Sequence, residues 1–389
     1  MALPFPSGEA SQPRLILGLS SGTSADGVDL ALIRVEGSGG DRKVEFLAGE
    51  MREMPASLRA RVQAASEWGV SDLASAHYEL GVFFGMAGQD FLADRGFPIQ
   101  EIDFAGSHGQ TVWHHDGDPA AGTLQIGAHS VTAFHLGLPV IGDFRWADLA
   151  VGGQGAPISS WADWVLHRNA CPKFSILNLG GISNVSVLQG NSNPRAWDTG
   201  PANGPIDFLA EHFFQSPFDD DGHFSAQGRV STEVVQALLA DTWFDRPVPR
   251  STGLERFGAP FAQQALSLFN KHALSATPVD IMASVTEAVA FSIANSLAKE
   301  GLSAAPVYVC GGGASNSFLC SRIAAHLDLD SLLPYSDLGW NPDLREAVAF
   351  ALLADAFVQG ESTTFAETTG AKKAALLGAF HPVPVLDRP

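Results

Sequence analysis

Leu15-Ile16-Leu17-Gly18-Leu19-Ser20-Ser21-Gly22-Thr23-Ser24-Ala25-Asp26-Gly27-Val28-Asp29-Leu30-Ala31-Leu32-Ile33 is an apolar run, a turn of small and hydroxyl residues, and a second apolar run. That pattern predicts a β-hairpin. The turn is long, rich in hydroxyls and backbone N–H donors, and carries Asp26 and Asp29 three residues apart. A loop of this make-up lets its backbone approach phosphate oxygens, with an Asp to hold the accompanying Mg²⁺. It equally fits an ordinary hairpin connection, so its weight depends on glycine-marked turns further along.

One such turn repeats the grammar. Phe174-Ser175-Ile176-Leu177-Asn178-Leu179, then Gly180-Gly181, then Ile182 to Leu188, is again apolar, glycine turn, apolar. Two halves that each open on a hairpin predict an α/β fold of two lobes with no sequence repeat between them. In open α/β sheets ligands settle beyond the carboxyl ends of the strands, which points to a cleft. A chain of 389 residues is long for one core and suggests two domains. Residues 1–13, broken by three prolines, read as a disordered lead-in. Residues 14–148 form the first expected lobe, joined by 358–389, and 149–357 the second. The boundary falls in the Gly- and Asp-rich stretch 143–157.

Around the hairpins the apolar pattern predicts strands at 44–48, 102–106, 124–127, 139–142 and 307–310. Helices are expected at 56–92, 130–134, 205–214, 231–239, 261–274, 279–299, 317–326 and 343–357. The 279–299 helix has a clear start, with Thr277 as N-cap, Pro278 at the first helical position and Asp280 at the third.

With 46% apolar and 17% charged residues the chain is of ordinary globular composition. No window approaches ~18 uninterrupted apolar residues, so no membrane span is expected. The N-terminus lacks the basic start and apolar centre of a signal peptide. Three cysteines without a CxxC pair fit a reducing, cytoplasmic setting and argue against zinc. A net charge of −19 argues against nucleic acid and anionic membranes as partners, because phosphate-backbone binding rests on basic patches. It does not exclude a nucleotide held by backbone N–H groups.

Four further stretches carry candidate chemistry. Asp198-Thr199-Gly200-Pro201 ends a strand and precedes a helix, which sets a carboxylate beside helix N–H groups that favour anions. The alternative is that Asp198 bonds turn amides and Asn203 caps the helix. Gly311-Gly312-Gly313-Ala314-Ser315-Asn316 follows a strand and lets a flat or anionic ligand lie against the main chain, unless it is only a tight turn. His108, Gln110 and Thr111 are neutral donors and acceptors suited to a sugar hydroxyl or amide. Arg145, near the glycines of 152–157, suits a substrate carboxylate, unless that loop is an interdomain hinge. Glu346 lies three residues after Asp343, the spacing of a capping box, and spacing alone favours the cap.

Taken together these blocks resemble the anhydro-N-acetylmuramic acid kinases of bacterial peptidoglycan recycling. The similarity covers Gly22 to Asp29, Gly106 to His114, Gly142 to Arg145, Gly152 to Pro157, Asn178 to Asn184 and Asp198 to Pro201. It continues through Ser251-Thr252-Gly253, Gly311 to Asn316, Glu346-Ala347 and Thr369-Gly370-Ala371. The resemblance implies the sugar kinase, heat-shock chaperone and actin superfamily, with two ribonuclease-H-like lobes closing on ATP. It implies a reaction that opens the 1,6-anhydro bridge and phosphorylates O6, giving N-acetylmuramate 6-phosphate and ADP. Asp198 and Glu346 would be catalytic, which moves Glu346 away from a pure cap. ATP would be met by Gly22, Thr23, Ser24, Ala25, Asp26, Gly27, Val28, Asp29, Gly180, Gly181, Thr199, Gly200, Gly311, Gly312, Gly313 and Asn316. Asp26 would hold Mg²⁺. The sugar would be met by His108, Gln110, Thr111, Asp143, Arg145 and Asn178.

The chain departs from the family pattern at Ala25, Ala202, Arg250 and Leu254, and the last two put any charge contact from that loop in doubt. An ordinary amino-sugar or hexose kinase without ring opening is the alternative reading. An actin-type assembly protein and an ATP-independent glycosidase are more distant ones. The expected partners are ATP and a small-molecule sugar, with a second copy of the chain left open.

Overall fold

The computed structural model describes residues 12–22, 25–65, 68–116, 121–271 and 276–384. Thr23, Ser24 and residues 1–11 of the expected lead-in lie outside the described residues. The chain divides into two compact units, Met1–Leu166 with Asp343–Pro389, and His167–Pro342.

In the first unit, β1 (Arg14–Ser21), β2 (Gly27–Glu36) and β3 (Lys43–Glu53) form an antiparallel meander. The hairpin register pairs Leu17 with Leu32 and Leu19 with Leu30. Beside β1 run β4 (Phe104–Asp116) and β6 (Val140–Gly142), both parallel, with β12 (Ala379–His381) antiparallel at the edge. The sheet order is β12-β6-β4-β1-β2-β3, and β5 (Ala121–Ile126) hairpins onto the far end of β4.

The second unit repeats this plan. Its strands β7 (Phe174–Leu179), β8 (Ile182–Leu188) and β9 (Arg195–Pro201) form the meander. β10 (Val307–Cys310) and β11 (Leu333–Pro334) follow in parallel, in the order β11-β10-β7-β8-β9. With the β5 hairpin set aside and strands numbered within each unit, both sheets contain the order 3-2-1-4-5, the expected ribonuclease-H-like order.

Alternation along β1 decides which helix covers which face. Leu17 and Leu19 point into a core with Leu80, Phe84 and Phe91 of the helix Val70–Asp94. Gly18, between them, faces the other way, where a Cβ would meet the Ala347 carbonyl oxygen at 1.8 Å. Gly106 on β4 does the same against the Phe350 carbonyl, at 2.2 Å. Two glycines therefore let the backbone of the helix Arg345–Val358 lie directly on the sheet. This contact assigns that helix to the first unit.

The units accordingly divide at 166/167 and 342/343, not at the 148/149 and 357/358 boundaries read from the sequence. Nor is 143–157 a loose hinge. The buried Asp148 accepts hydrogen bonds from the Gly155 N–H (2.7 Å) and the Thr369 hydroxyl (2.6 Å), so the glycine loop is tied down within the first unit. The single 56–92 helix is two, Ala56–Gln63 and Val70–Asp94.

Charge is buried where the same helix meets β1. Asp355 receives Arg14 at 2.5 Å and Arg42 at 2.7 Å; Arg42 also reaches Glu361 and lies over the Trp161 ring. Replacing Asp355 by Ala leaves two buried guanidinium groups without their shared partner. The expected loss is about 3–5 kcal/mol. Urea unfolding checks it, and a loss below about 1 kcal/mol would contradict the network's role.

In the second unit the helix Pro278–Lys299 starts as the sequence predicts, with Thr277 and Asp280 in a capping box. It is the one described helix long and apolar enough to cross a membrane, and 78% of that stretch is buried. Its Met282, Val285, Val289 and Ile293 pack in the core with Leu177, Trp197 and Leu238.

Candidate active site

Within the first unit, the β1–β2 turn is held from β4. The Ser21 hydroxyl donates to Gln110 Oε1 at 2.7 Å, and Gln110 Nε2 donates to the Gly22 carbonyl at 3.0 Å. The Ala25 N–H donates to that same carbonyl. Gln110 is buried, and both ends of its amide hold the turn. The amide thus ties the loop to β4. If this turn meets ATP, as the resemblance implies, Gln110→Ala is expected to raise the ATP KM about tenfold with the sugar KM unchanged, roughly 1.4 kcal/mol of binding. Steady-state kinetics in both substrates check this; a change confined to the sugar KM would contradict it.

The turn's other residues differ in exposure. Ala25, Gly27 and Val28 are buried, with Ala25 at φ +52°, while Asp26 is exposed. Asp29 lies across from Ser20 on β1, and the Ser20 hydroxyl donates to Glu346 Oε2 at 3.2 Å. Burial, reinforced by the carboxylates of Glu346, Asp26 and Asp343, pushes Asp29 up to about 7. These four acids therefore share one negative region.

The Glu346 cap expected from spacing does not form. The helix begins at Arg345 after a short 3-10 turn, Pro342–Leu344, and its N-cap is Leu344 without a side-chain cap bond. The bidentate pair of Arg345 with buried Asp163 anchors this helix start instead.

Asp29 also gives a pH signature. Below about pH 4 it is protonated in folded and unfolded chains alike, so it carries no penalty. Between pH 4 and 7 only the unfolded chain ionises it, and the folded state progressively loses stability. Asp29→Asn should therefore stabilise the protein at pH 8 relative to wild type and much less at pH 4.5. The expected gain is about 1–2 kcal/mol after allowing for partial exposure. Denaturant titrations at both pH values check it; an equal effect at both would contradict it.

The other sugar candidates of this unit form a second group. His108 is buried against Phe350, with ring centroids 4.3 Å apart. Its Nδ1–H donates to the Gly109 carbonyl and its Nε2 accepts from Arg145 Nε at 3.0 Å. Burial, then the Arg145 charge, holds it well below the usual histidine range, so it stays neutral. His108 orients Arg145. Thr111 accepts from Gln125 Nε2 at 3.3 Å. Asp143, at φ +56°, accepts from His381 Nε2 at 3.2 Å, and His129 Nε2 lies 3.7 Å away. The His381 hydrogen bond, then the neighbouring His129, keeps Asp143 below the usual carboxylate range. Neither Ser20, His129 nor His381 was marked by the sequence, since each is distant in the chain from the acid it meets.

In the second unit, Asp198 lies on β9 opposite Asn184, 7% exposed. Its Oδ2 accepts the Thr252 N–H at 2.8 Å, and its main chain exchanges hydrogen bonds with Arg250. The Ser251-Thr252-Gly253 block thus fixes the carboxylate, a role its sequence did not disclose. Arg250 is buried over Trp243 and donates to three main-chain carbonyls of 243–246. Leu254 packs on Gly181 and Gly204. The Arg250 guanidinium is thus engaged within the unit, also by the Ser296 hydroxyl, and Leu254 carries no charge.

The open helix N-terminus expected after Asp198 is not there. The Ala202, Asn203 and Gly204 N–H groups donate to the Gly180 and Gly181 carbonyls. Ala202, at φ −135° and ψ −115°, is the residue that precedes the helix, and Asn203 does not cap the helix Asn203–Phe214. Asn203 Nδ2 donates instead to the Leu179 carbonyl. Thr199 is buried and bonded to Ser183, and Gly200 is packed under Phe244. Both hold the strand end in shape.

Gly311 turns at φ +80° beside Asn178 Oδ1, so Asn178 joins the two glycine loops of this unit. Gly313 lies under the Asn203 amide, whereas a Cβ on Gly312 would meet nothing nearer than 3.9 Å. Asn316 caps the helix Ser317–His326 by accepting the Leu319 N–H at 2.9 Å.

The sequence matches the family described as Anhydro-N-acetylmuramic acid kinase over residues 14–383. A relative bearing that name from Xanthomonas axonopodis pv. citri is 37% identical over 95% of this chain and 98% of its own. One from Bacillus cereus is 35% identical, covering 95% of this chain and all of its own. Among solved structures, the activator of the 2-hydroxyisocaproyl-CoA dehydratase from Clostridium difficile with bound ADPNP overlaps at a TM-score of 0.42. Its identity is 14%, over 89% of this chain and 96% of that one, so the assignment rests on the sequence relatives. With a full-length family match and relatives above one-third identity, the chain belongs to the anhydro-N-acetylmuramic acid kinase family.

Proposed function

We propose that this chain uses ATP to open the internal bridge of 1,6-anhydro-N-acetylmuramic acid and phosphorylate the freed O6. The products are N-acetylmuramate 6-phosphate and ADP, formed in the cytoplasm during cell-wall recycling. The observation that supports this reading most is Asp198, a carboxylate fixed at a strand end by the Thr252 N–H, in a chain of this kinase family.

Asp198 takes a proton from the water that attacks C1. The C1–O6 bond breaks, and its electron pair stays on O6. O6 forms the new bond to the γ-phosphorus while the β–γ bridging bond breaks to ADP. Phosphoryl transfer thus replaces the general acid that glycoside cleavage otherwise needs. Glu346, held by Ser20, orients water or sugar, and Asp143 and Arg145 bind sugar polar groups.

Asp26 and Asp29 would hold Mg²⁺ together with phosphate oxygens. Their all-oxygen character suits it, and the crowding that raises Asp29 is what a cation would relieve. Among the described residues no three acids or histidines gather into a metal cage, so water and phosphate oxygens would have to supply the rest of its shell. When bound, Mg²⁺ offsets charge on the phosphates.

An assay coupling ADP release to addition of the anhydro-sugar tests the reading. ADP should appear only with the sugar present, in equal amount to sugar phosphate. Turnover of ordinary hexoses or amino sugars in its place would favour the simple kinase, and sugar opening without ATP would favour a glycosidase.

A further inference from the structure

Asp207 has no assigned role, yet its surroundings are unusual. It lies on the helix Asn203–Phe214 one turn beyond Asn203, on the same face. Asn203 overlies Gly313 and lies nearest to Gly312. Asp207 also feels the charge of Asp219, whose carboxylate is already engaged by the Phe224 and Ser225 N–H groups and the Ser225 hydroxyl. From there the chain runs to Asp221, which accepts the Ser317 N–H at 3.0 Å, and Gly222, which abuts Asn316 and Phe318. The segments next to Asp207, Asn203 on its own helix and the turn that follows Asp219, thus touch both ends of the Gly311–Asn316 loop.

No hydrogen-bond donor meets the Asp207 carboxyl among the described residues. Asp219, the neighbour it does feel, carries the same charge. A half-buried acid in that position is destabilised, and a ligand bearing hydrogen-bond donors relieves it. We propose that Asp207 is the nucleoside-recognition residue of this unit, its two carboxylate oxygens accepting the two hydroxyl hydrogens of the ribose diol. A vicinal diol presents two O–H donors that match those two acceptors. The inference rests on the reading that the Gly311–Asn316 loop meets adenosine.

Burial and then Asp219 push the free Asp207 up to about 7, so a bound donor that favours the carboxylate releases a proton near neutrality. The experiment uses the full chain. ADP binding is measured calorimetrically at pH 7 in two buffers of different ionisation enthalpy, for wild type and Asp207→Asn. ATP and 2′,3′-dideoxyATP are compared as substrates for both. Wild type should release a fraction of a proton and prefer ATP at least tenfold. Asp207→Asn should release none, raise the ATP KM about tenfold, lose the preference, keep the sugar KM, and melt no lower than wild type.

Wild type that accepts the dideoxy nucleotide equally well overturns the proposal without recourse to any variant. So does an Asp207→Asn enzyme that binds ADP normally while Gly312→Val does not. If both variants bind ADP normally, the reading of the loop itself has failed.

Discussion

Asp198→Asn is expected to lower kcat by about 10³-fold or more, some 4 kcal/mol of transition-state stabilisation, with little change in either KM. The substitution is close to isosteric. Asn keeps a side-chain oxygen for the Thr252 N–H, so the strand end and its tie to Arg250 should persist. What is lost is the capacity to take a proton from water. The melting temperature should stay within a few degrees of wild type, which separates lost chemistry from lost fold. A rate within about tenfold of wild type, only ~1.4 kcal/mol, would mean that Asp198 is not the base.

Gly312→Val should raise the ATP KM about a hundredfold, near 2.7 kcal/mol, and leave sugar binding and stability unchanged. The argument turns on space. Gly311 needs its left-handed φ, and Gly313 has Asn203 and Leu179 within 3 Å of a would-be Cβ, so either substitution would disturb the fold. Gly312 has neither constraint: its Cβ would meet only the Asn203 amide, at an ordinary 3.9 Å. If the room beside Gly312 belongs to a ligand, valine takes it up and only binding suffers. Nucleotide titration with a parallel melting curve checks this, and unaltered ATP affinity would remove the loop from the nucleotide site.

Local pattern carried much of the architecture. The two hairpins were legible because each pairs apolar runs across a glycine turn, and the 279–299 helix because Thr277, Pro278 and Asp280 mark its start. The unit boundary was not. It depends on Gly18 and Gly106 receiving a helix more than 200 residues away, and no local signal in Arg345–Val358 discloses that contact. β4 was read short for the opposite reason. Its polar run Ser107 to Thr111 looks like a loop, but pairing with β1 and β5 keeps it extended to Asp116.

The candidate site was legible in residue type and less so in role. Gln110 and His108 stand in a motif suited to a sugar, but their polar atoms hold Gly22 and Arg145. Thr199 and Asn316 serve strand and helix ends. Such partners come from distant chain segments, so spacing could not reveal them. The capping-box spacing at Asp343 and Glu346 misled because a 3-10 turn moves the helix start to Arg345.

The most direct test runs the full chain with intact anhydro-sugar and ATP in ¹⁸O-labelled water. Ring opening by solvent must leave one heavy oxygen on the anomeric carbon of the sugar phosphate and none in the phosphoryl group. Label found in phosphate, or product formed without any, would contradict a carboxylate-primed water acting at C1.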